Sequence, residues 1–192
     1  MSELRIYREA GADGAPAGEP RVVQAREDIA RELAAIGVLF EAWEAERVLP
    51  DDATQDEVIE AYRGPIERLM RDNGFKSVDV VSMYPDHPDR EALRKKFLDE
   101  HTHSDYEVRF FVDGSGLFYL HPQNEAGRGK VYTVLCERGD LISVPAGTPH
   151  WFDMGERPFF KAIRLFCSPE GWVADFTGSD IARRYPAYDE LV

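Results

Sequence analysis

The sequence lacks the features that would indicate a nucleic-acid or membrane partner. It has no excess of positive charge, because 23 Lys and Arg stand against 36 Asp and Glu, for a formal net charge of −13. Such a chain repels phosphate backbones and anionic headgroups. It also has no apolar run close to the roughly 20 residues that span a bilayer, and no apolar core of a signal peptide near its N-terminus. We therefore expect a cytoplasmic protein with no nucleic-acid or membrane partner.

Cysteine is also scarce. Cys136 and Cys167 are the two in the chain, and both lie in apolar stretches far apart in sequence. We expect buried, reduced thiols rather than a disulfide. With 192 residues, 43% of them hydrophobic, the chain has enough apolar side chains for one core, so we predict a single domain over residues 1–192.

Within that domain the pattern changes along the chain. We predict a helix-rich N-terminal part over about 1–98, a barrel core over about 99–168 and a polar, surface-lying C-terminal tail over about 169–192. Ile29, Leu33 and Ile36 recur at helical spacing, and Thr54 with Glu57 fits a capping box.

From residue 107 onward, short apolar runs alternate with Gly, Pro and Asp, as is typical of closely spaced strands. The stretch "EVRFFVDGSGLFYLHP" predicts a hairpin that turns at Asp113–Gly114. The fold class predicted is mainly β with α (α+β), a β-barrel or jelly roll against which the earlier helices pack.

The stretch "HTHSDYEVRFF" carries the clearest chemical signal. Residues of equal parity share one face of a strand, so His101, His103, Glu107 and Arg109 point the same way. A straight strand would nevertheless place Glu107 about 13 Å from His103, too far for one metal ion. Ser104–Asp105 supplies turn chemistry between them, and a corner there would bring all three ligands together.

A fourth candidate ligand is His150, in "GDLISVPAGTPHWF", where a strand flanked by tight turns would bring it to the barrel wall. Three histidines and a glutamate favour a divalent first-row metal with two free positions. The competing interpretation of His-x-His is a polar corner of an ordinary sheet. His87 and His121 adjoin prolines and are predicted to lie in loops away from the metal.

The spacing of these residues resembles the two cupin motifs. His101, His103, Glu107 and Gly114 follow the first motif, and Gly139, Pro145, Gly147 and His150 follow the second. The chain is similar over nearly its whole length to the acireductone dioxygenase family of methionine salvage, most clearly in "HTHSDYEVRFF", "LISVPAGTPHWFD", "KAIRLF" and "EGWVADFTG". The resemblance implies a cupin-type barrel with flanking helices.

The resemblance further implies one Fe²⁺ or Ni²⁺ per chain, held by His101, His103, Glu107 and His150, in a monomer without an organic cofactor. The implied substrates are 1,2-dihydroxy-5-(methylthio)pent-1-en-3-one and O₂. The iron form of the family yields 4-methylthio-2-oxobutanoate and formate. The nickel form yields 3-methylthiopropanoate, formate and carbon monoxide.

Five residues match substrate-binding positions of the family, although each can be read as an ordinary core, surface or strand-pairing residue: Phe97, Arg109, Phe152, Arg164 and Trp172. The resemblance assigns catalytic roles to Arg109 and to Tyr106. Tyr106 stands where the family often has an aspartate that generates the substrate dianion, and the neighbouring Asp105 is the alternative. Glu100 matches a position linked to metal incorporation, with a solvated acidic residue as the alternative.

Two other functions use the same residues. One is a different cupin metalloenzyme, a decarboxylase or isomerase with another metal on the same ligands. The other is a non-catalytic cupin that binds a small ligand, which would show no turnover with any metal.

Overall fold

The computed structural model describes residues 1–10, 14–47, 49–50, 52–168 and 170–192. These residues form twelve strands: β1 Glu3–Ala10, β2 Ala15–Pro16, β3 Arg21–Val23, β4 Leu39–Ala42, β5 Ser77–Met83, β6 His101–Thr102, β7 Glu107–Leu120, β8 Lys130–Glu137, β9 Asp140–Val144, β10 His150–Asp153, β11 Phe160–Phe166 and β12 Asp175–Phe176. The helices are α1 Arg26–Ala35, α2 Gln55–Ala61, α3 Arg63–Asn73, α4 Arg90–Leu98 and α5 Tyr188–Leu191, with a 3₁₀ helix at Ile181–Arg184. In the described ranges, no helix has the length and apolar character needed to cross a membrane.

The longest strand, β7, organises an antiparallel sheet. Its first half pairs with β9 and β11, and its second half pairs with β8 and β10. The predicted hairpin at Asp113–Gly114 is therefore wrong, because the chain bends there but continues as one strand. Gly114 has φ +65°, and a Cβ at this position would lie 1.9 Å from the Phe159 carbonyl oxygen. Only glycine permits that bend and close approach.

Strands from the first half of the chain complete the sheet. β1 pairs with β8, β4 with β9, and β5 with β11. The helices α1 to α4 lie in the predicted helix-rich part, but the sheet is not confined to the predicted barrel core of about 99–168. Leu4 and Ile6 alternate with polar residues in β1 and are buried, but their partner strand β8 is distant in sequence, so the local pattern does not indicate the pairing. The mainly antiparallel β architecture with flanking helices is confirmed.

The helices follow the local signals. The capping box is present, with the Glu57 N–H donating to Thr54 Oγ1 and the Thr54 N–H donating to Glu57 Oε2. Tyr62 separates α2 from α3, and α3 ends at Gly74 in the left-handed conformation. Val58, Tyr62 and Ile66 are buried at helical spacing and pack on the outer face of the barrel beside Phe110.

The barrel interior holds a large apolar cluster that includes the rings of Phe111, Phe118, Phe152 and Phe160. On the opposite outer face, Tyr119 and Trp151 stack with their ring centroids 4.9 Å apart. The C-terminal segment covers this face and buries Ile181 and Tyr185. The predicted surface-lying tail is therefore wrong in part: its charged side chains face water, but these two residues belong to the core.

Both cysteines are reduced, as predicted, but only Cys136 is buried as expected. Both are free thiols; Cys136 is buried and Cys167 is half-buried. Burial raises the pKa of the Cys136 thiol well above its usual value, so this side chain behaves as a small apolar residue.

Candidate metal centre

The corner between β6 and β7 brings the predicted ligands to one end of the barrel. The Asp105 carboxylate stabilises this corner. It accepts hydrogen bonds from the Tyr106 N–H at 2.7 Å and from the Ser168 N–H at 3.0 Å. His150 pairs directly with His101 across β10 and β6. The observed backbone thus follows the predicted course of a strand, a corner and a new strand.

Three histidines converge at this end. His101, His103 and His150 are all buried, and each offers one ring nitrogen within 4.8 Å of the other two. Each Nδ1 lies close to a backbone carbonyl oxygen, at 2.7 Å from Asp99, 3.0 Å from Val173 and 2.8 Å from Thr148, respectively. Because a carbonyl only accepts, each Nδ1 donates, and Nε2 is the nitrogen of each ring that remains to bind a metal.

Glu107 lies against two of these nitrogens. Its Oε2 is 3.2 Å from His103 Nε2 and 3.1 Å from His150 Nε2. Two ligand atoms at right angles on one ion, each about 2.1 Å from it, lie about 3.0 Å apart. The observed distances from Glu107 Oε2 to the two histidine nitrogens are close to this separation. The residues present therefore fit a divalent ion, with Glu107 as the candidate fourth ligand beside the three-histidine site.

The pKa values of Glu107 and His101 favour the forms of these two residues that bind metals. Burial opposes ionisation of Glu107, but Arg109 and the contacts with His103 and His150 outweigh it, and the pKa of this carboxyl lies well below its usual range. Burial and the nearby His150 lower the pKa of His101 to about 4. At neutral pH the centre thus offers a carboxylate and a neutral imidazole, the forms that bind metals.

A cavity of about 320 Å³ opens from this centre. Its donor end contains the three histidines and Glu107, and its remaining wall is mostly apolar, including Val81, Met83, Leu93, Phe97, Phe118 and Phe152. Small-molecule sites have this build, in which a few polar groups are set in an apolar wall of roughly 300 to 1,000 Å³. Phe97, Phe152, Arg109, Arg164 and Trp172, the predicted substrate residues, all line it.

The two arginines occupy different positions in the cavity wall. Arg109 is buried, forms an ion pair with Glu107 and lies over the rings of Phe118 and Phe152, at 4.9 and 4.4 Å from their centroids. Its Nε has no hydrogen-bond partner among the described residues. Arg164 is half-buried and forms a two-pronged pair with Asp79, through Nε at 2.8 Å and Nη2 at 2.7 Å.

Tyr106 lies outside the cavity lining. Its side chain is 47% exposed, because it is adjacent to Glu107 and therefore points to the opposite side of the strand. This placement argues against the predicted catalytic role of Tyr106. The alternative, Asp105, is occupied elsewhere, since its carboxylate also accepts a hydrogen bond from the Cys167 N–H. Asp105 thus ties the corner to the segment after β11, and Tyr106 contributes its N–H to the same carboxylate.

Glu100 is buried rather than solvated, beside the first histidine. It accepts hydrogen bonds from His121 Nδ1 at 2.7 Å and Thr177 Oγ1 at 2.6 Å, and His121 Nε2 lies 3.0 Å from Glu9. Burial alone would lower the pKa of His121, but Glu100 and Glu9 outweigh it and raise that pKa. His121 is therefore outside the metal cluster, as predicted, and links β1 to the segment that carries His101.

Replacement of His121 by glutamine is expected to lower the free energy of unfolding by about 1–3 kcal/mol, because the buried Glu100 and the half-buried Glu9 lose a charged partner. A raised pKa means that this stabilisation is present while His121 is charged and is lost as the pH rises through its folded-state pKa. Urea unfolding should show a larger difference between His121→Gln and wild type at about pH 6 than at about pH 9.

The control is His87→Gln, at a histidine with no ion pair among the described residues. A His121→Gln variant whose loss of stability is the same at both pH values would contradict the account.

Sequence reasoning assigned three polar residues of the cavity wall, Ser82, His87 and Lys96, no place in the site. His87 lies in the loop before α4, where its Nδ1 accepts the Asp89 N–H at 3.1 Å. Lys96 lies on α4, whose composition indicates only a solvated charged helix. Lys96 directly precedes Phe97, a predicted substrate residue, and this is the one feature of the sequence that could have indicated it. It belongs to no recognised motif.

Comparison with known proteins gives a consistent result. The model of the ARD/ARD′ family matches residues 4–174. Acireductone dioxygenase of Aquifex aeolicus is 54% identical over 192 residues, covering 100% of this chain and 99% of the relative. That of Alcanivorax borkumensis is 55% identical over 184 residues, covering 96% and 97%. Among solved structures, acireductone dioxygenase from Bacillus anthracis with a cadmium ion in its active centre is similar, with a TM-score of 0.76, 29% identity, and coverage of 92% of this chain and 98% of that one.

Proposed function

The chain belongs to the ARD/ARD′ family, and we propose that it is a metal-dependent dioxygenase that cleaves 1,2-dihydroxy-5-(methylthio)pent-1-en-3-one with O₂ in methionine salvage. One observation carries this proposal: three histidine nitrogens and an oxygen of Glu107 converge at one end of a cavity whose remaining wall is mostly apolar.

The proposed ligands are His101, His103, Glu107 and His150, and the proposed ion is Fe²⁺ or Ni²⁺, one per chain. Imidazole and carboxylate donors suit both ions. When bound, the ion supplies Lewis acidity and a template for the electron-rich enediolate and O₂. The hydrogen bonds from the three Nδ1 atoms to backbone carbonyls hold the rings in place and support this assignment.

The cavity accounts for the orientation of the substrate. Its polar end receives the enediolate, and its apolar wall receives the methylthio tail. Phe97 and Phe152 are arranged edge to face there, with ring centroids 6.2 Å apart, and sulfur makes favourable contacts with aromatic rings. The partly aromatic wall also excludes water from the reacting carbons.

Arg109 is the proposed catalytic residue of the chain itself. Its buried Nε–H has no partner among the described residues, and an unsatisfied buried donor is costly unless a ligand accepts from it. A substrate oxygen would accept that hydrogen bond, while the same guanidinium keeps Glu107 ionised. Glu100 is proposed to support the centre by fixing the backbone next to His101.

The chain is proposed to act as a monomer in the cytoplasm. The four proposed ligands all lie within one chain, which is consistent with a monomer. Free cysteines are usual in a reducing compartment.

The test uses purified protein stripped of metal and reloaded separately with Fe²⁺ and with Ni²⁺. The synthetic acireductone is added without oxygen, and O₂ is then admitted. We expect oxygen uptake with both metals, carbon monoxide from the nickel form, and the 2-oxo acid from the iron form. No uptake with either metal would contradict the proposal and would favour a non-catalytic binding protein.

A further inference from the structure

The mouth of the cavity carries a lysine next to an exposed aromatic ring. Lys96 on α4 and Trp172 after β11 both line the cavity. The ammonium of Lys96 lies 5.9 Å from the centroid of the Trp172 ring, and Trp172 is 48% exposed. A cation held over an indole face is restricted in position while remaining in contact with water.

Lys96 differs from the other cations of the cavity in its charge balance. The lining contains three Lys or Arg side chains and one carboxylate, Glu107. Arg109 is paired with Glu107, and Arg164 is paired with Asp79. Lys96 forms no ion pair with any residue that the structure describes. Among the three cations of the cavity lining, Lys96 is therefore the one without a carboxylate partner among the described residues.

An uncompensated cation has a clear use in this protein. The chain has a net charge of −13, so its overall field repels anions. An enediol conjugated to a ketone loses a proton readily and is an anion near neutral pH. A local positive charge at the opening of a low-dielectric cavity raises the concentration of such an anion there and speeds its entry.

We propose that Lys96 is a substrate-binding residue at the mouth of the cavity, where its ammonium attracts the anionic acireductone and the Trp172 ring holds that ammonium over the opening. This inference rests on the proposed function, because that function supplies the anion. The role is one of entry and binding, and it leaves the chemical step to the metal end.

The test compares Lys96→Met with Lys95→Met. Lys95 is the neighbouring exposed lysine on the same helix and does not line the cavity. In the metal-loaded protein at low salt, Lys96→Met is expected to lower kcat/KM about 10-fold, through KM and with kcat nearly unchanged. The loss should shrink at about 0.5 M salt, where exposed charges are screened. Lys95→Met should stay within about twofold of wild type, and Lys96→Arg should restore most of the loss.

A second measurement separates this inference from the proposed function. The dissociation constant of the acireductone is measured without oxygen by its ultraviolet absorbance, which requires no turnover. Weaker binding by Lys96→Met alone, with a flattened salt dependence, supports Lys96 even if wild type consumes no O₂. Equal binding and equal salt dependence in the two methionine variants would overturn the inference even if wild type is fully active. Absence of binding by wild type would overturn both.

Discussion

Replacement of His103 by alanine is expected to reduce bound metal to well below one ion per chain and to abolish oxygen uptake. His103 supplies one of three converging nitrogens, and its Nε2 also lies against Glu107. Loss of groups that merely orient metal ligands costs about 10–100-fold in affinity or activity, so loss of a ligand itself should cost at least about 100-fold. Elemental analysis after dialysis against a weak chelator measures the effect directly.

His87→Ala is the matched control for this prediction. His87 lines the same cavity, but it is not part of the three-histidine cluster. The control variant should keep its metal. This result would show that metal binding depends on the three clustered histidines and not on every histidine that lines the cavity. Stoichiometric metal in His103→Ala would contradict the ligand assignment.

Replacement of Arg109 by methionine is expected to lower turnover about 100-fold or more, as does removal of a single donor to the reacting atoms in other enzymes. It should also lower the free energy of unfolding by about 3–5 kcal/mol, because Glu107 is left as a buried charge without its cationic partner. The loss of the two ring contacts adds to this. Steady-state kinetics of the metal-loaded protein and urea unfolding of the metal-free protein measure the two effects.

Two further arginine variants make this prediction specific. Arg109→Lys keeps the charge but lacks the forked donors, so it should recover stability more than turnover. Arg164→Met removes a half-buried cation whose partner, Asp79, is partly exposed, and should cost far less stability. An Arg109→Met protein as stable and as active as wild type would contradict the assigned role.

The parts of the site that the sequence predicted well depend on local geometry. The parity of a strand and its rise per residue sufficed to predict that the chain turns between His103 and Glu107, and the structure places the corner at Ser104–Asp105. The parity of Arg109 with Glu107 likewise predicted that it faces inward. Such predictions succeed because backbone geometry is nearly the same in every strand.

The parts that failed depend on contacts between distant segments. Asp113–Gly114 has the composition of a hairpin turn, yet pairing with β11 on one side and β8 on the other keeps β7 continuous through Gly114. The family resemblance predicts a catalytic role for Tyr106. Its position next to Glu107, however, directs its side chain to the opposite face. The sequence could not predict the contact between Lys96 and Trp172, because it depends on how the segment after β11 packs beside α4.

The most direct test of the metal centre is a crystal of the nickel-loaded protein measured at the nickel absorption edge. We expect one strong anomalous peak per chain within about 2.0–2.2 Å of Nε2 of His101, His103 and His150 and of an oxygen of Glu107. A peak elsewhere, or one bound through Nδ1 of these rings, would contradict the account.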